Sequence, residues 1–405
     1  MKYKNANDVL PEDLLALVQE YIQGEYLYVP VKDRHIAESP SDYQNELEKR
    51  DAHIYTKYLE GMGNKQLSRM YNLSESSIRR IILKQRKGSL WMKDQIAQIL
   101  SHWGLENKGI KQIHNAAWQI GDEYVLKVYH DFSMLERNLK ILQILDSMDI
   151  PVGKIVPTGK NEQYISCDDL FFFLSRRLHG SNIVRIGNDK TIASAMGNII
   201  ADLHIAFKKC EETDVFWNNS LLDEMNSWVK SNFETNGWKY ISKEEYEKTV
   251  SHLAMVYDNL PVQLIHRDVH FGNFLFLDGN FSGYIDFDLS QRNIRIFDLC
   301  YFLLGLLSEE EKFEITDELW LAFVKEIFAG YEQKLKLTAA EKKAVPYVME
   351  CIELLFVSYF QSINDIRCAE DAHKIYQFIA KQHPMVLMPS STRTVPSQDS
   401  ILPLP

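Results

Sequence analysis

The sequence predicts an α+β protein of two parts, in which a mainly helical N-terminal domain precedes a larger domain with a small strand-rich lobe and a helical lobe. Alternating apolar segments cluster early in the larger part and helical periodicity dominates its second half, an order typical of segregated strands and helices. Charge divides the chain in the same way. Residues 1–90 carry 14 Lys+Arg and 13 Asp+Glu, whereas the remaining residues carry 31 and 43. A nearly neutral part before an acidic one indicates two modules with different partners.

Composition favours a cytoplasmic protein. No apolar stretch reaches the roughly 18 residues that a membrane-spanning helix needs, and Met1 to Gln19 is interrupted by charges, unlike a secretory signal. The five cysteines are scattered and form no CxxC pair, which argues against a zinc site and a disulfide framework. We therefore expect a reduced, cytoplasmic protein that does not bind membranes.

The N-terminal domain, residues 1–88, is predicted to contain a helix over 10–22 and a strand over 25–31. Three short helices follow, over 50–61, 64–72 and 74–87. Two helices joined by a short turn, with a basic exposed face, form the layout of a helix-turn-helix, whose second helix enters the major groove of DNA.

Basic residues concentrate in this helical region, because residues 65–87 hold seven bases and one acid. We therefore expect double-stranded DNA to bind residues 46–87. The expected contacts are Ser76, Ser77, Arg79, Arg80 and Lys84. The alternative is a basic three-helix bundle that contacts other proteins. The segments NANDVLPEDLL, GEYLYVP and LSESSIRRII resemble small regulators related to the Mor transcription activator of phages. That resemblance implies a homodimer formed through the first helix and strand.

The larger domain is predicted to have a strand-rich lobe over 91–178, a helical lobe over 179–383 and a disordered tail over 384–405, which is rich in Ser, Thr and Pro. In the first lobe we expect a helix over 91–105, two or three strands over 110–130, a second helix over 133–148 and an apolar strand over 170–178. In the second lobe we expect helices over 191–259, then a strand and hairpin over 262–287, then two long helices over 296–307 and 344–363.

The strongest local signal is a β-hairpin around Asp278–Gly279, a turn pair between two alternating apolar runs. Asn273 lies six residues before Gly279 and Asp286 lies seven after it, so the two side chains fall next to each other at the open end. An amide oxygen beside a carboxylate suits a hard cation such as Mg²⁺. Asp268, in the preceding loop, can reach the same place, and this combination is typical of phosphoryl transfer.

The sequence from His266 to Asn273 resembles the kinase catalytic loop H-x-D-x-x-x-x-N. The longer series HRDVHFGNFLF, YIDFD and FDLCYF is most similar to the aminoglycoside phosphotransferase/choline kinase branch, over about residues 95–380. The resemblance implies a protein-kinase-like two-lobe fold, ATP or GTP as the phosphate donor, and Mg²⁺.

The resemblance also implies a role for each matching residue. Asp268 is the expected base for the hydroxyl of the acceptor, and Asn273 and Asp286 are the expected metal ligands. Structural support is expected from His266, Asp288 and Asp298, with Asp298 bracing the catalytic loop and Asp288 supporting the metal ligands or a second metal.

In the strand-rich lobe, YVLKVY resembles the strand that carries the family's phosphate-binding lysine, here Lys127. Glu136 is the expected ion-pair partner of Lys127, because it is the only acid between Asp131 and Asp146. The alternative is that Glu136 lies on a solvated helix face. The lobe ends in a linker whose backbone is expected to contact adenine at Ser175, Arg176, Arg177 and Leu178.

Two features separate the chain from protein kinases. No G-x-G-x-x-G precedes Lys127, and only eleven residues separate Asp286 from Asp298, too few for an activation segment that docks a protein. We therefore expect a small-molecule O-phosphotransferase whose acceptor is aminoglycoside-like or another hydroxylated amine. Arg267 stands where this branch usually has a small residue, and its role is unassigned: either it braces the loop through Asp286 or Asp288, or it is only a similarity to protein kinases. The alternative is a transcription regulator whose kinase-like domain senses a nucleotide or small ligand without turnover.

Overall fold

The computed structural model divides the chain into two compact units, with the boundary between Met92 and Lys93. The residues that it describes are 53–58, 62–71, 78, 81–82, 96–114, 116–167, 170–183, 190–308 and 315–386. The helix expected over 10–22, the strand expected over 25–31 and the five expected DNA contacts (Ser76, Ser77, Arg79, Arg80 and Lys84) lie outside these ranges.

In the first unit, residues 53–58 are helical and helix α1 spans Asn64–Met70, within the segments predicted to be short helices. Five apolar residues from these helices and the following segment are buried against one another: Ile54, Leu67, Ile78, Ile81 and Ile82. A shared apolar cluster is what amphipathic short helices need, because none of them can bury its apolar face alone.

In the second unit, the described residues start with a helical segment at 96–100 and a 3₁₀ turn at Ser101–Trp103. Its first lobe is a six-stranded antiparallel sheet with the order β1-β2-β3-β6-β4, and β5 pairs with β6. The strands are β1 (Ile110–His114), β2 (Ala117–Ile120), β3 (Tyr124–Tyr129), β4 (Ile155–Val156), β5 (Ile165–Cys167) and β6 (Leu170–Arg176). Helix α2 (Phe132–Ser147) follows β3 and buries one apolar face.

The second lobe is mainly helical, as predicted. Its helices are α3 (Lys190–Thr213), α4 (Leu221–Glu224), α5 (Lys230–Asn236), α6 (Lys243–Tyr257), α7 (Ile296–Ser308), α8 (Asp317–Lys334), α9 (Ala339–Ser362) and α10 (Ile366–Val386). A π-helical turn at Met225–Val229 joins α4 to α5. Helix α10 continues through Pro384, where the disordered tail was expected to begin, and the remainder of that expected tail (387–405) lies outside the described residues.

Two small antiparallel ribbons lie among these helices and carry the polar segments of interest. Strand β7 (Val262–Ile265) pairs with β10 (Gln291–Ile294), and β8 (Phe274–Leu277) pairs with β9 (Asn280–Tyr284). The β8–β9 hairpin was predicted, whereas β10 was not. The β10 sequence QRNI has no apolar alternation, although the structure buries Gln291 and Asn293.

None of the helices in the described part of the chain combines the length and the apolarity needed to cross a membrane.

Helices α3 and α8 touch at two glycines. A Cβ atom added to Gly197 would lie 2.0 Å from the carbonyl oxygen of Ile327, and one added to Gly330 would lie 2.0 Å from the carbonyl oxygen of Ser194. Only a residue without a side chain allows the two backbones to approach this closely. This contact holds α8 against α3, the helix that carries His204.

We predict that Gly197→Ala lowers the free energy of unfolding by about 1–3 kcal/mol, because the backbones of α3 and α8 must move apart to make room for the added methyl group. Gly305, in α7, has open space around its Cα, so Gly305→Ala is the matched control. Alanine there should raise stability by about 0.5–1 kcal/mol through helix propensity. Urea denaturation of the two variants tests the prediction, and equal stabilities would contradict it.

Candidate active site

The loop between β7 and β8 is fixed by the carboxylate of Asp298, which is fully buried at the start of α7. Asp298 accepts hydrogen bonds from the backbone amides of His266 at 2.9 Å and Arg267 at 2.8 Å. His204 Nε2 lies 3.0 Å from the same carboxylate, and Tyr331 contacts the other ring nitrogen of His204 at 2.8 Å. Three polar groups on one carboxylate satisfy a charge that would be costly to bury alone.

The loop presents Asp268 in a defined orientation. The Tyr301 hydroxyl donates to one oxygen at 2.9 Å, and the Asn273 amide nitrogen donates to the other at 3.0 Å. Burial opposes the charged form, but His270, His266 and the Tyr301 hydrogen bond together lower the pKa of Asp268 to about 2. Asp268 is therefore an oriented carboxylate that remains ionised at neutral pH.

The hairpin places Asn273 beside Ile285, the residue that precedes Asp286. Asp278 and Gly279 both adopt positive φ, 50° and 79°, which is the turn geometry that an Asp-Gly pair favours. Phe274 pairs with Tyr284, and the Ile285 amide donates to the Asn273 carbonyl at 3.0 Å. Two positions thirteen residues apart in the chain are thereby placed at the same end of the hairpin.

Lys127 links the two lobes through carboxylates. Its ammonium lies 2.7 Å from Asp286 and 3.0 Å from Asp288. Burial opposes the charge on Lys127, but Asp288 and Asp286 outweigh it and raise the pKa of the lysine. Burial likewise opposes ionisation of Asp286, but Lys127 lowers the pKa of Asp286. Lys127 and Asp286 therefore stabilise each other's charged forms.

The structure does not bring Glu136 to Lys127. Glu136 is exposed on α2, and within the described part of the chain the acidic partners of Lys127 are Asp286 and Asp288. The inward-facing polar residue of α2 is Asn138, which donates to the Tyr129 hydroxyl at 2.6 Å and to the carboxylate of Asp288. Glu136 thus occupies the solvated helix face that the sequence left as the alternative.

Sequence reasoning missed three residues that contact the aspartates of this site. Asn138 follows Glu136 by two positions, which places it on another side of the helix, at helical spacing from the buried Leu135 and Leu142. That spacing was a usable signal for Asn138. Tyr129, which donates to Asp288 at 2.6 Å, and Tyr301, which donates to Asp268, carry no local signal.

The last residue of β6 and the one after it use their backbone amides within the protein. The amide of Arg176 donates to the Lys154 carbonyl at 2.7 Å, and the amide of Arg177 donates to the Glu123 carbonyl at 2.8 Å. Of the expected adenine contacts, these two amides are therefore already used. The side chain of Ser175 is buried, and that of Leu178 is partly buried.

The oxygen donors near Lys127 fit a hard divalent cation. Asn273 uses its amide nitrogen on Asp268, so its side-chain oxygen is left as an acceptor, and Asp286 and Asp288 already hold the lysine cation. No three His, Cys, Asp or Glu side chains among the described residues could hold a metal by themselves. The donor set is therefore one amide and two carboxylates, a chemistry that Mg²⁺ accepts when phosphate or water oxygens complete its shell.

Comparison with known proteins identifies the larger unit. Residues 108–342, more than half of the chain, match the model of the phosphotransferase enzyme family, APH. The chain belongs to this phosphotransferase family. The resemblance stated from the catalytic-loop motif is thereby confirmed.

Solved structures share the fold of the phosphotransferase domain. The amicoumacin kinase hAmiN, solved with AMP-PNP, Ca²⁺ and Ami, is 18% identical with a TM-score of 0.56, over 73% of this chain and 94% of its own. Aminoglycoside 2′-phosphotransferase-IIIa, solved with GDP, is 11% identical with a TM-score of 0.51, over 71% of this chain and 98% of its own. Together with the family match, they confirm the predicted kinase-like fold.

The N-terminal segment has its own relatives. Residues 10–97 match the model of the Mor transcription activator family. YraL of Bacillus subtilis (strain 168), an uncharacterized protein, is 31% identical over 84 residues, which are 20% of this chain and 97% of YraL. The predicted resemblance to Mor regulators is thereby confirmed.

Arg267, which the sequence left unassigned, anchors the loop between β7 and β8 to α4. Its guanidinium donates to both carboxylate oxygens of Glu224, at 2.9 and 2.8 Å, and lies 5.2 Å from the centre of the Phe297 ring. Its φ is 68°, a left-handed conformation that costs a non-glycine residue about 1–2 kcal/mol. That conformation explains why a small residue suits this position, and the ion pair explains how an arginine is held there.

We predict that Arg267→Gly destabilises the protein although it relieves the backbone. Glycine gains about 1 kcal/mol at positive φ, but the buried Glu224 loses its partner at a cost of about 3–5 kcal/mol. Arg267→Ala should be less stable still, and Glu224→Gln in the Arg267→Gly background should recover part of the loss. Urea denaturation measures all three.

Arg176 provides the matched control, since its ion pair with Glu123 at 3.3 Å is exposed on both sides. Arg176→Ala should cost less than about 1 kcal/mol. An Arg267→Gly variant as stable as the wild type would contradict the role given to the Glu224 pair.

Proposed function

We propose that the phosphotransferase domain transfers the γ-phosphoryl group of ATP or GTP to the hydroxyl of a small hydroxylated amine. The observation that carries this proposal is the position of Asp268. It lines a cavity of about 370 Å³ in the helical lobe and also contacts Asn273, the residue adjoining the Lys127 and Asp286 cluster. A carboxylate shared by an acceptor-sized cavity and a cluster of phosphate- and metal-binding types suits phosphoryl transfer.

In the proposed reaction, the acceptor hydroxyl donates a hydrogen bond to Asp268, and its oxygen forms a bond to the γ-phosphorus. The bond from that phosphorus to the oxygen of the leaving nucleoside diphosphate breaks, and the hydroxyl proton passes to Asp268. Tyr301 and Asn273 keep the carboxylate oriented through the transfer. A pKa of about 2 makes Asp268 a weak base, so its main contribution is orientation of the nucleophile.

Charge around the phosphates is assigned to Lys127, Asn273 and Asp286. Bound Mg²⁺ would neutralise phosphate oxygens and orient the γ-phosphoryl group. Asn273 and Asp286 would hold it, with Asp288 held in place by Tyr129 and Asn138. Lys127 would direct its positive charge to the remaining phosphate oxygens. Glu136, exposed on α2, has no place in this assignment.

One observation favours the alternative of a nucleotide sensor without turnover. The ammonium of Lys127 is engaged by two carboxylates, so contact with phosphates would require it to exchange partners. Turnover decides between the two readings, because a sensor binds nucleotide without releasing the diphosphate.

We predict that Asp268→Asn lowers kcat by at least about 10²-fold, because the acceptor hydroxyl loses the carboxylate that orients it and accepts its proton. Affinity for the nucleotide should change much less than kcat, since asparagine can still accept the hydrogen bond of Asn273 that Asp268 accepts. Coupled detection of ADP release, with a panel of hydroxylated amines, measures turnover. Asp278→Asn, in the exposed hairpin turn, is the matched control and should retain wild-type activity. Equal turnover by the Asp268 and Asp278 variants would contradict the proposed reaction.

For the N-terminal domain we propose binding to double-stranded DNA as a homodimer. Support comes from the match to the Mor transcription activator family and from the seven bases in residues 65–87. The proposed contacts remain Ser76, Ser77, Arg79, Arg80 and Lys84. Fusion of such a domain to a phosphotransferase would place a small-molecule kinase on DNA.

We predict that removal of residues 1–90 abolishes retention on DNA and leaves nucleotide affinity unchanged. Arg79→Ala combined with Arg80→Ala in the full-length chain should weaken DNA binding and make it less dependent on salt, because each phosphate contact releases counterions. Lys209→Ala, an exposed basic residue outside this domain, is the control. Retention of DNA by the shortened chain would exclude the N-terminal domain as the binding site.

A further inference from the structure

The cavity next to the catalytic loop has an unusual polar residue in its wall. Asp268 and Tyr301 line it, and so do Phe356, Phe360 and Glu353. Glu353, on α9, is 3% exposed, yet no described residue forms an ion pair or hydrogen bond with its carboxyl group. Burial alone raises the pKa of Glu353 well above its usual range.

Other buried glutamates of this unit have a basic side chain as a partner. Glu341, on the same helix, lies 2.7 Å from Arg295, and Glu350 lies 2.8 Å from His383. Glu224 is held by Arg267. An unpaired carboxyl group in an apolar wall weakens the fold, because burial removes its hydration without replacing it. Such a group in a cavity is a candidate for ligand recognition.

Aromatic rings connect Glu353's cavity wall to the catalytic aspartate. The Tyr301 hydroxyl donates to Asp268, the centres of the Tyr301 and Phe356 rings are 6.0 Å apart, and Phe356 stacks with Phe360 at 6.0 Å. Aromatic faces attract organic cations, and the attraction is greater where water is excluded. The cavity thus combines one buried acid with aromatic walls and ends at the carboxylate proposed to receive the hydroxyl.

We propose that Glu353 is the specificity-determining residue that binds a single ammonium group of the phosphate acceptor, while the acceptor's hydroxyl faces Asp268. This inference rests on the proposed phosphotransfer and narrows its substrate class to small amino alcohols with one positive charge. The acceptor's cation restores the charge balance of Glu353 when it binds, and the aromatic rings cover its carbon skeleton.

Charge among the described lining residues favours a single ammonium group. Besides Asp268 and Glu353, the acid among them is Asp371, which is largely exposed and already lies 2.7 Å from Lys374. Within this set, a second ammonium group would find no buried counter-charge other than Asp268, which is assigned to the hydroxyl.

Binding in the absence of nucleotide tests the ammonium subsite by itself. Calorimetric titration of the full-length protein with benzylammonium should show binding, and Glu353→Gln should weaken it at least about 30-fold, the loss associated with one partner of a buried charge pair. Benzyl alcohol, the neutral analogue, should bind both proteins equally. Glu370→Gln, an exposed acid on the neighbouring helix, is the matched control and should bind as the wild type does.

Glutamine matches the shape and neutrality of a protonated glutamate, so Glu353→Gln should fold with an unchanged melting temperature. Phe356→Leu, which retains the acid and removes an aromatic face, should weaken benzylammonium binding several-fold. Failure of benzylammonium to bind the wild type, or equal binding by wild type and Glu353→Gln, would overturn the assignment.

Turnover separates failure of this inference from failure of the proposed reaction. ADP release should be stimulated by linear amino alcohols from ethanolamine to aminohexanol more than by their N-acetyl derivatives, and Glu353→Gln should remove that preference by raising KM for the amines. Amine binding that depends on Glu353, without ADP release, would overturn the reaction and leave the subsite. ADP release with an amine preference that survives Glu353→Gln would overturn the subsite and leave the reaction.

Discussion

The buried carboxylate of Asp298 is the contact on which the rest of the site depends. It accepts the amides of His266 and Arg267 and contacts His204, so it fixes the backbone just before Asp268. A charge in this position is stable only while all its donors are present, which makes the loop conformation cooperative with the packing of α3 and α7. The left-handed turn at Arg267 is held by the same contact and by the ion pair to α4.

From that fixed loop, the site extends in two directions. Toward the strand-rich lobe, the carbonyl of Asn273 accepts the amide of Ile285, the residue before Asp286. Asp286 then pairs with Lys127, which belongs to the strand-rich lobe. Toward the helical lobe, Asp268 borders the aromatic cavity that contains Glu353. One loop thereby joins a cluster suited to phosphates and a cation to a cavity suited to an organic acceptor. The proposed substrate class follows from the second half of that arrangement.

Local chemistry made much of this predictable from sequence. The Asp278–Gly279 turn and its alternating flanks fix which residues lie at the hairpin's open end, and short spacing ties Asp268 to Asn273. Contacts between distant segments carried no such signal. The choice of Asn138 over Glu136 depends on which helix face turns inward, and the partners of Glu224 and Glu353 depend on packing of helices far apart in the chain. The polar strand β10 was missed for the same reason.

Native-state hydrogen exchange at the amides of His266 and Arg267 tests the role of Asp298 most directly. The Asp298→Asn substitution keeps the shape of the side chain but leaves one acceptor oxygen where the carboxylate has two. The two backbone amides can then no longer both be accepted as in the wild type. Exchange at both amides should accelerate at least about tenfold, the effect of about 1.4 kcal/mol of lost protection, while amides in the middle of α8 keep their wild-type rates. Unchanged exchange at His266 and Arg267 in Asp298→Asn would contradict the central role given to this carboxylate.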